Sequence, residues 1–171
     1  MLNLNRRIYC VSGAVLGALL ALAGCSSDPA QVAGNYTLAL TTGQNGCEFM
    51  GFEEGATSSG IAMTMTQAGS NITADFAGTA AALVLDIALG SAKFTGTVDG
   101  NDLDLSITGE PSFMSGECKF SIDAHVTATI DGDVLMGKID YTARTNQAAD
   151  CGAKVDCHTV QSFNGTRPPS N

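Results

Sequence analysis

Cysteine supplies the most versatile chemistry in this chain, since a thiolate serves as nucleophile, metal ligand or half of a disulfide. Of six cysteines, Cys10 and Cys25 lie near the start, while Cys47, Cys118, Cys151 and Cys157 lie in the body of the chain. Those four allow three pairings. Cys151 and Cys157 enclose only Gly-Ala-Lys-Val-Asp and suit a small closed loop, which leaves Cys47 to join Cys118. A zinc site would recruit His158 beside Cys157, but the spacing matches no common zinc site, so the expectation is disulfides and no metal. His125, the other histidine, alternates with Ala124 and Val126 on the polar face of a strand. The paired carboxylates read as solvated surface: Glu53-Glu54 lie in a glycine-rich loop, and Asp102 and Asp104 alternate with leucines. Residues 99–104 lack the central glycine and distal glutamate of a calcium loop. No serine elbow, zinc-protease helix or phosphate-binding loop occurs. The chain is expected to be no enzyme and to need no cofactor.

Cys25 is set apart by what precedes it. Arg6 and Arg7 are followed by Ile8–Ala23, a run of small and apolar residues without charge. It is too short to remain as a membrane span and ends in small residues, so it reads as a removable secretory segment. Leu22-Ala23-Gly24-Cys25 resembles the lipobox of bacterial prolipoproteins. That resemblance implies cleavage after Gly24 and lipidation of Cys25 by a diacylglyceryl group and an N-acyl chain such as palmitate. Several acyl chains anchor a protein stably where one does not. Ser26, where aspartate favours retention in the inner membrane, implies an outer-membrane address. The compartment is oxidising, as disulfides require.

Removing residues 1–24 leaves 147 of 171, enough for one domain with a core. Arg6 and Arg7 go with the segment, so 6 basic residues face 17 acidic ones, a net charge of −11. Such a surface excludes nucleic acid and anionic headgroups as partners and keeps a tethered domain soluble. Residues 25–33 read as a lipidated tether, 34–165 as the domain and 166–171 as a C-terminal tail.

The elements that must position these residues are short alternating runs between glycine-rich turns, the pattern of an antiparallel all-β protein. Leu103, Leu105 and Ile107 alternate strictly with Asp102, Asp104 and Ser106. Similar runs lie at 34–41, 61–67, 72–76, 93–98, 120–130, 135–143 and 158–163, making eight strands. Ala80–Leu89 alternates like a strand yet is rich in alanine and leucine, which favour helix. Strand direction decides. With this segment left out, the tight turns at 68–71, 99–101 and 131–133 share one end. The long connections 42–60, 77–92, 109–117 and 144–157 share the other, with all four cysteines. As a barrel strand, the segment would set Cys47 and Cys118 at opposite ends, where they could not pair. It is therefore expected to be a short helix or irregular cover at the open end of an eight-stranded up-and-down barrel. Gly96 and Gly137, inside strands, mark bends that closure needs.

The hairpin pattern, with Met-Thr-Gln-Ala-Gly-Ser-Asn-Ile-Thr at 65–73 and Phe-Thr-Gly-Thr-Val at 94–98, resembles lipocalin-like and avidin-like barrels. The chain has no tryptophan, and Tyr36 follows Gly34-Asn35 in the first strand. The resemblance implies a small, apolar ligand held in the interior or at the mouth. Candidate contacts are Met63 and Met65 on inward faces, and two aromatic–methionine doublets beside cysteines, Phe49-Met50 and Phe113-Met114. A Cys47–Cys118 bridge would bring both doublets to the open end. There they form either an adaptable recognition surface or a plug. The expectation is that Phe49 and Phe113 are at least partly exposed. The alternative function is a protein-interaction module or inhibitor gripping an envelope protein through loops 42–60 and 109–117.

Overall fold

A computed structural model describes residues 28–76 and 80–168. The lipobox and Cys25 lie outside the described residues. Nine strands form: β1 Gly34–Asn45, β2 Thr57–Ala68, β3 Asn71–Asp75, β4 Lys93–Asp99, β5 Asp102–Ile107, β6 Phe113–Ser115, β7 Cys118–Asp131, β8 Val134–Thr145 and β9 Thr159–Thr166. One α-helix, α1 Ala80–Leu89, and one 3₁₀ helix, Ala149–Lys154, complete the described elements.

The sheet runs β5-β4-β3-β2-β1-β9-β8-β7, and a β5–β7 pairing closes it into an eight-stranded antiparallel barrel. The architecture is consistent with a calycin-like fold. Closure follows from alternation. In β5, Leu103, Leu105 and Ile107 are buried while Asp102, Asp104 and Ser106 are exposed, so each strand must turn one face inward. β6 was not legible in the 109–117 connection. It is a three-residue strand that pairs Phe113 with Phe120 at the start of β7 and stands outside the closed eight.

Tight turns end the barrel at one side, each with a glycine at positive φ: Gly69, Gly100 and Gly132. Residues 30–33 and Arg167 close this end. Val32 is fully buried, the Ala30 amide donates to the Gly100 carbonyl at 2.7 Å, and Gln67 bonds to Val32 and Ala30. Tyr36 donates its phenol proton to the Val32 carbonyl at 2.9 Å. Arg167 lies over the Tyr36 ring and bonds to Asp133 and the Ala33 carbonyl, both at 2.9 Å. Burial raises the Tyr36 phenol above its ordinary pKa, partly countered by the Arg167 charge. Residues 30–33, read from sequence as tether, and Thr166 and Arg167, read as tail, are thus built into the barrel floor.

The disulfide pairing differs from expectation. Cys47 joins Cys157 and Cys118 joins Cys151, with Cα separations of 4.9 and 4.8 Å. Strand adjacency explains it. β1 pairs with β9, and Asn45 stands opposite Thr159, so two further steps along each chain set Cys47 against Cys157. β7 pairs with β8, and the 3₁₀ helix that follows β8 folds Cys151 back onto Cys118. β1 and β7 are not neighbours, so a Cys47–Cys118 bridge has no ladder to bring its halves together. All four cysteines do lie at the open end.

Candidate functional site

The barrel interior is full. Met63, Met65, Phe94, Leu105 and Leu135 are among the side chains that fill it, leaving a wholly apolar void of about 30 Å³, one water's worth. Met63 and Met65, candidates for ligand contact, are therefore core residues, 5% and 2% exposed. The open end is different. There a cavity of about 230 Å³ lies between Phe76, just after β3, Phe94 on β4, the β1–β2 loop, and Ala81, Val84, Leu85 and Ala88 of α1. α1 covers the mouth, where its strand-direction count put it.

One residue organises the β1–β2 loop. Asn45 donates from Nδ2 to the carbonyls of Phe49 and Phe52, at 2.9 and 3.1 Å. Its Oδ1 accepts from the Phe49 amide and from the Thr159 hydroxyl, both at 2.9 Å. The Cys47–Cys157 bridge pins the same loop from its other side. Phe49 is thereby set against Phe52 with ring centroids 6.0 Å apart, and Phe52 meets Tyr141 edge-on at 5.3 Å. This aromatic wall was not legible from sequence beyond Phe49. A signal for Asn45 does exist, since asparagine before a glycine-rich loop favours local backbone bonding.

The doublets divide. Phe49 is 8% exposed, against the expectation of partial exposure, because Asn45 turns its backbone so that the ring enters the mouth wall. Met50 beside it is 97% exposed. Phe113 is half-buried on Phe120 at 5.5 Å, with Lys154 over the Phe120 ring. Met114 is exposed. Phe49 lines the cavity, and Met50, Phe113 and Met114 do not. The two doublets share an end of the barrel without sharing a site, as their separate bridges dictate. Phe49→Ala should therefore cost about 3 kcal/mol or more, while Met50→Ser should change stability by less than about 0.5 kcal/mol. Denaturant unfolding checks both, and equal effects would place Phe49 outside the wall.

Besides the solvent-exposed Ser58, the polar side chains lining the cavity form one hydrogen-bonded chain. Tyr141 donates its phenol proton to Gln161 Oε1 at 3.1 Å, and Gln161 Nε2 donates to Thr42 Oγ1 at 3.2 Å. Burial pushes the Tyr141 phenol well above its ordinary pKa, so it stays a neutral donor.

The other candidates for chemistry sit outside. His125 Nε2 meets Asp104 Oδ2 at 2.9 Å, and His158 Nδ1 meets Asp140 at 3.0 Å, all four on the solvated outer face. Ser106 stands opposite His125 in the ladder, but an open strand surface neither excludes water nor offers oxyanion donors. Such pairs contribute little. Among the described residues no three histidine, cysteine or acidic side chains converge on a metal position. Comparison of the chain with protein-family models, with curated proteins and with solved structures finds no match.

Proposed function

We propose that this is a lipid-anchored cell-envelope lipoprotein whose barrel binds a small apolar molecule at its mouth. The observation that carries the reading is the 230 Å³ cavity, walled by Phe49, Phe52, Phe76 and Phe94 and covered by α1, above an interior that is packed shut. Ligand binding belongs to the mouth and not to the interior. The role is binding and not catalysis, since the groups facing the cavity are aliphatic, aromatic or neutral polar.

The anchor suits the geometry. Lipid on Cys25, in the outer membrane, leaves three residues before Asp28, at most about 10 Å of chain. Residues 30–33 are fixed to the closed end, so that end faces the membrane and the mouth faces away. Ligand then arrives through the aqueous side. Nearly three acidic residues for each basic one suit a domain held beside anionic headgroups without adhering to them.

A second reading has one observation in its favour. Met50 on the β1–β2 loop and Met114 on β6 are exposed at the open end, as are Leu83, Val84 and Ile87 of α1, which suits docking of an envelope protein. Native mass spectrometry of the full chain, extracted from its own membrane in mild detergent, separates the two. The expected result is a retained small molecule in the wild type that is absent from Ala88→Trp, where the indole fills the cavity. A co-purifying protein with an empty cavity would favour the second reading.

A further inference from the structure

Building on the binding role proposed above, we propose that the ligand is an uncharged molecule, an apolar ring or branched chain ending in one hydroxyl or carbonyl group. The cavity lining is mostly apolar, and besides Ser58, which is exposed to solvent, its polar residues are Thr42, Tyr141 and Gln161. These three form one hydrogen-bonded chain, Tyr141 to Gln161 to Thr42. A primary amide carries two N–H groups and two acceptor lone pairs, and these bonds engage one of each on Gln161. The remaining N–H and lone pair are oriented by the same two neighbours, so Gln161 can receive either a carbonyl oxygen or a hydroxyl. The Thr42 hydroxyl, which accepts from Gln161, keeps its own proton to donate.

Charge is selected against. No acidic or basic side chain is among the described residues lining the cavity. A carboxylate or ammonium entering it loses its hydration without a counter-charge, and only a neutral polar group is compensated by hydrogen bonds alone. Neutral Tyr141 fits this reading, because a buried phenol is a donor that cannot balance a cation. Size follows from volume. A cavity of about 150 Å³ holds benzene, so 230 Å³ holds a ring of that size with a short polar arm.

Four probes built on one ring test this on the full chain in lipid nanodiscs: toluene, benzyl alcohol, benzoate and benzylamine. Binding is read from methyl shifts of Leu40, Leu85 and Ile139, which line the cavity. Benzyl alcohol is expected to bind up to about tenfold tighter than toluene, the span of one net hydrogen bond, and both ions should be at least tenfold weaker than the alcohol. In Gln161→Leu and in Thr42→Val the alcohol's advantage over toluene should shrink to about twofold or less. Comparing the alcohol-to-toluene ratio between proteins cancels partition into the lipid. Toluene matching the alcohol in the wild type, or benzoate binding best, would overturn the neutral-polar assignment while leaving the cavity a ligand site. No shift with any probe would overturn the binding role and this inference together.

Discussion

Replacing Cys47 and Cys157 by serine should lower stability by about 5 kcal/mol, and replacing Cys118 and Cys151 by about 4 kcal/mol. The difference comes from loop length. The first bridge spans a sequence separation of 110 residues and the second one of 33, and the chain-entropy cost removed from the unfolded state grows with the logarithm of that number. The native state adds to the asymmetry. Cys47–Cys157 continues the β1–β9 ladder and holds the loop that carries Phe49 and Phe52, so losing it also loosens the mouth wall. At roughly 3 °C per kcal/mol, a midpoint drop of about 15 °C is expected for the Cys47/Cys157 pair. Scanning calorimetry of the two double variants checks the order, and a larger loss from Cys118/Cys151 would contradict it. A non-reducing peptide map finding Cys47 joined to Cys118 would overturn the pairing itself.

Barrel closure was legible because its signal is local. Alternation in Asp102–Ile107 and glycine turns at 69, 100 and 132 set strand direction residue by residue, whereas leaving α1 out of the strand count also leaned on a Cys47–Cys118 bridge that does not form. The pairing of those cysteines was not legible, because it depends on which strands are neighbours across the closure, a fact no local pattern carries. The shortest sequence loop, Cys151 to Cys157, misled for the same reason. The 3₁₀ helix turns Cys151 towards β7 while Cys157 leads into β9, so two cysteines six residues apart serve different ladders. The mouth was half legible. Phe49 stood out as an aromatic beside a cysteine, but its burial rests on Asn45, whose bonds reach four and seven residues onward and across to Thr159. Gln161 and Thr42 gave no signal, being ordinary polar residues on strands until the register sets them beside one another.

Gly96→Ala should destabilise the barrel by roughly 3 kcal/mol or more, although alanine is the smallest side chain that can be added. β4 and β5 approach so closely that a Cβ at Gly96 would stand 1.9 Å from the Asp104 carbonyl oxygen and 2.6 Å from the Leu105 Cα. Both are backbone atoms, so no rotamer change relieves the contact. The strands must instead separate where Gly96 pairs with Leu105, and the ladder on either side opens with them. Thr97→Ala, one residue along and pointing to solvent, is the control and should stay within about 0.5 kcal/mol of wild type. The effect should also reach the mouth. Phe94, two residues before Gly96 on the same inward face, lines both the packed interior and the mouth cavity and stacks edge-on with Phe76 at 5.9 Å. Displacing β4 therefore tilts the cavity floor, and benzyl alcohol should bind more weakly to Gly96→Ala even at temperatures where that variant remains folded. Unfolding within 1 kcal/mol of wild type, with probe affinity unchanged, would mean that β4 and β5 do not make this close approach and that the bend closing the barrel lies elsewhere.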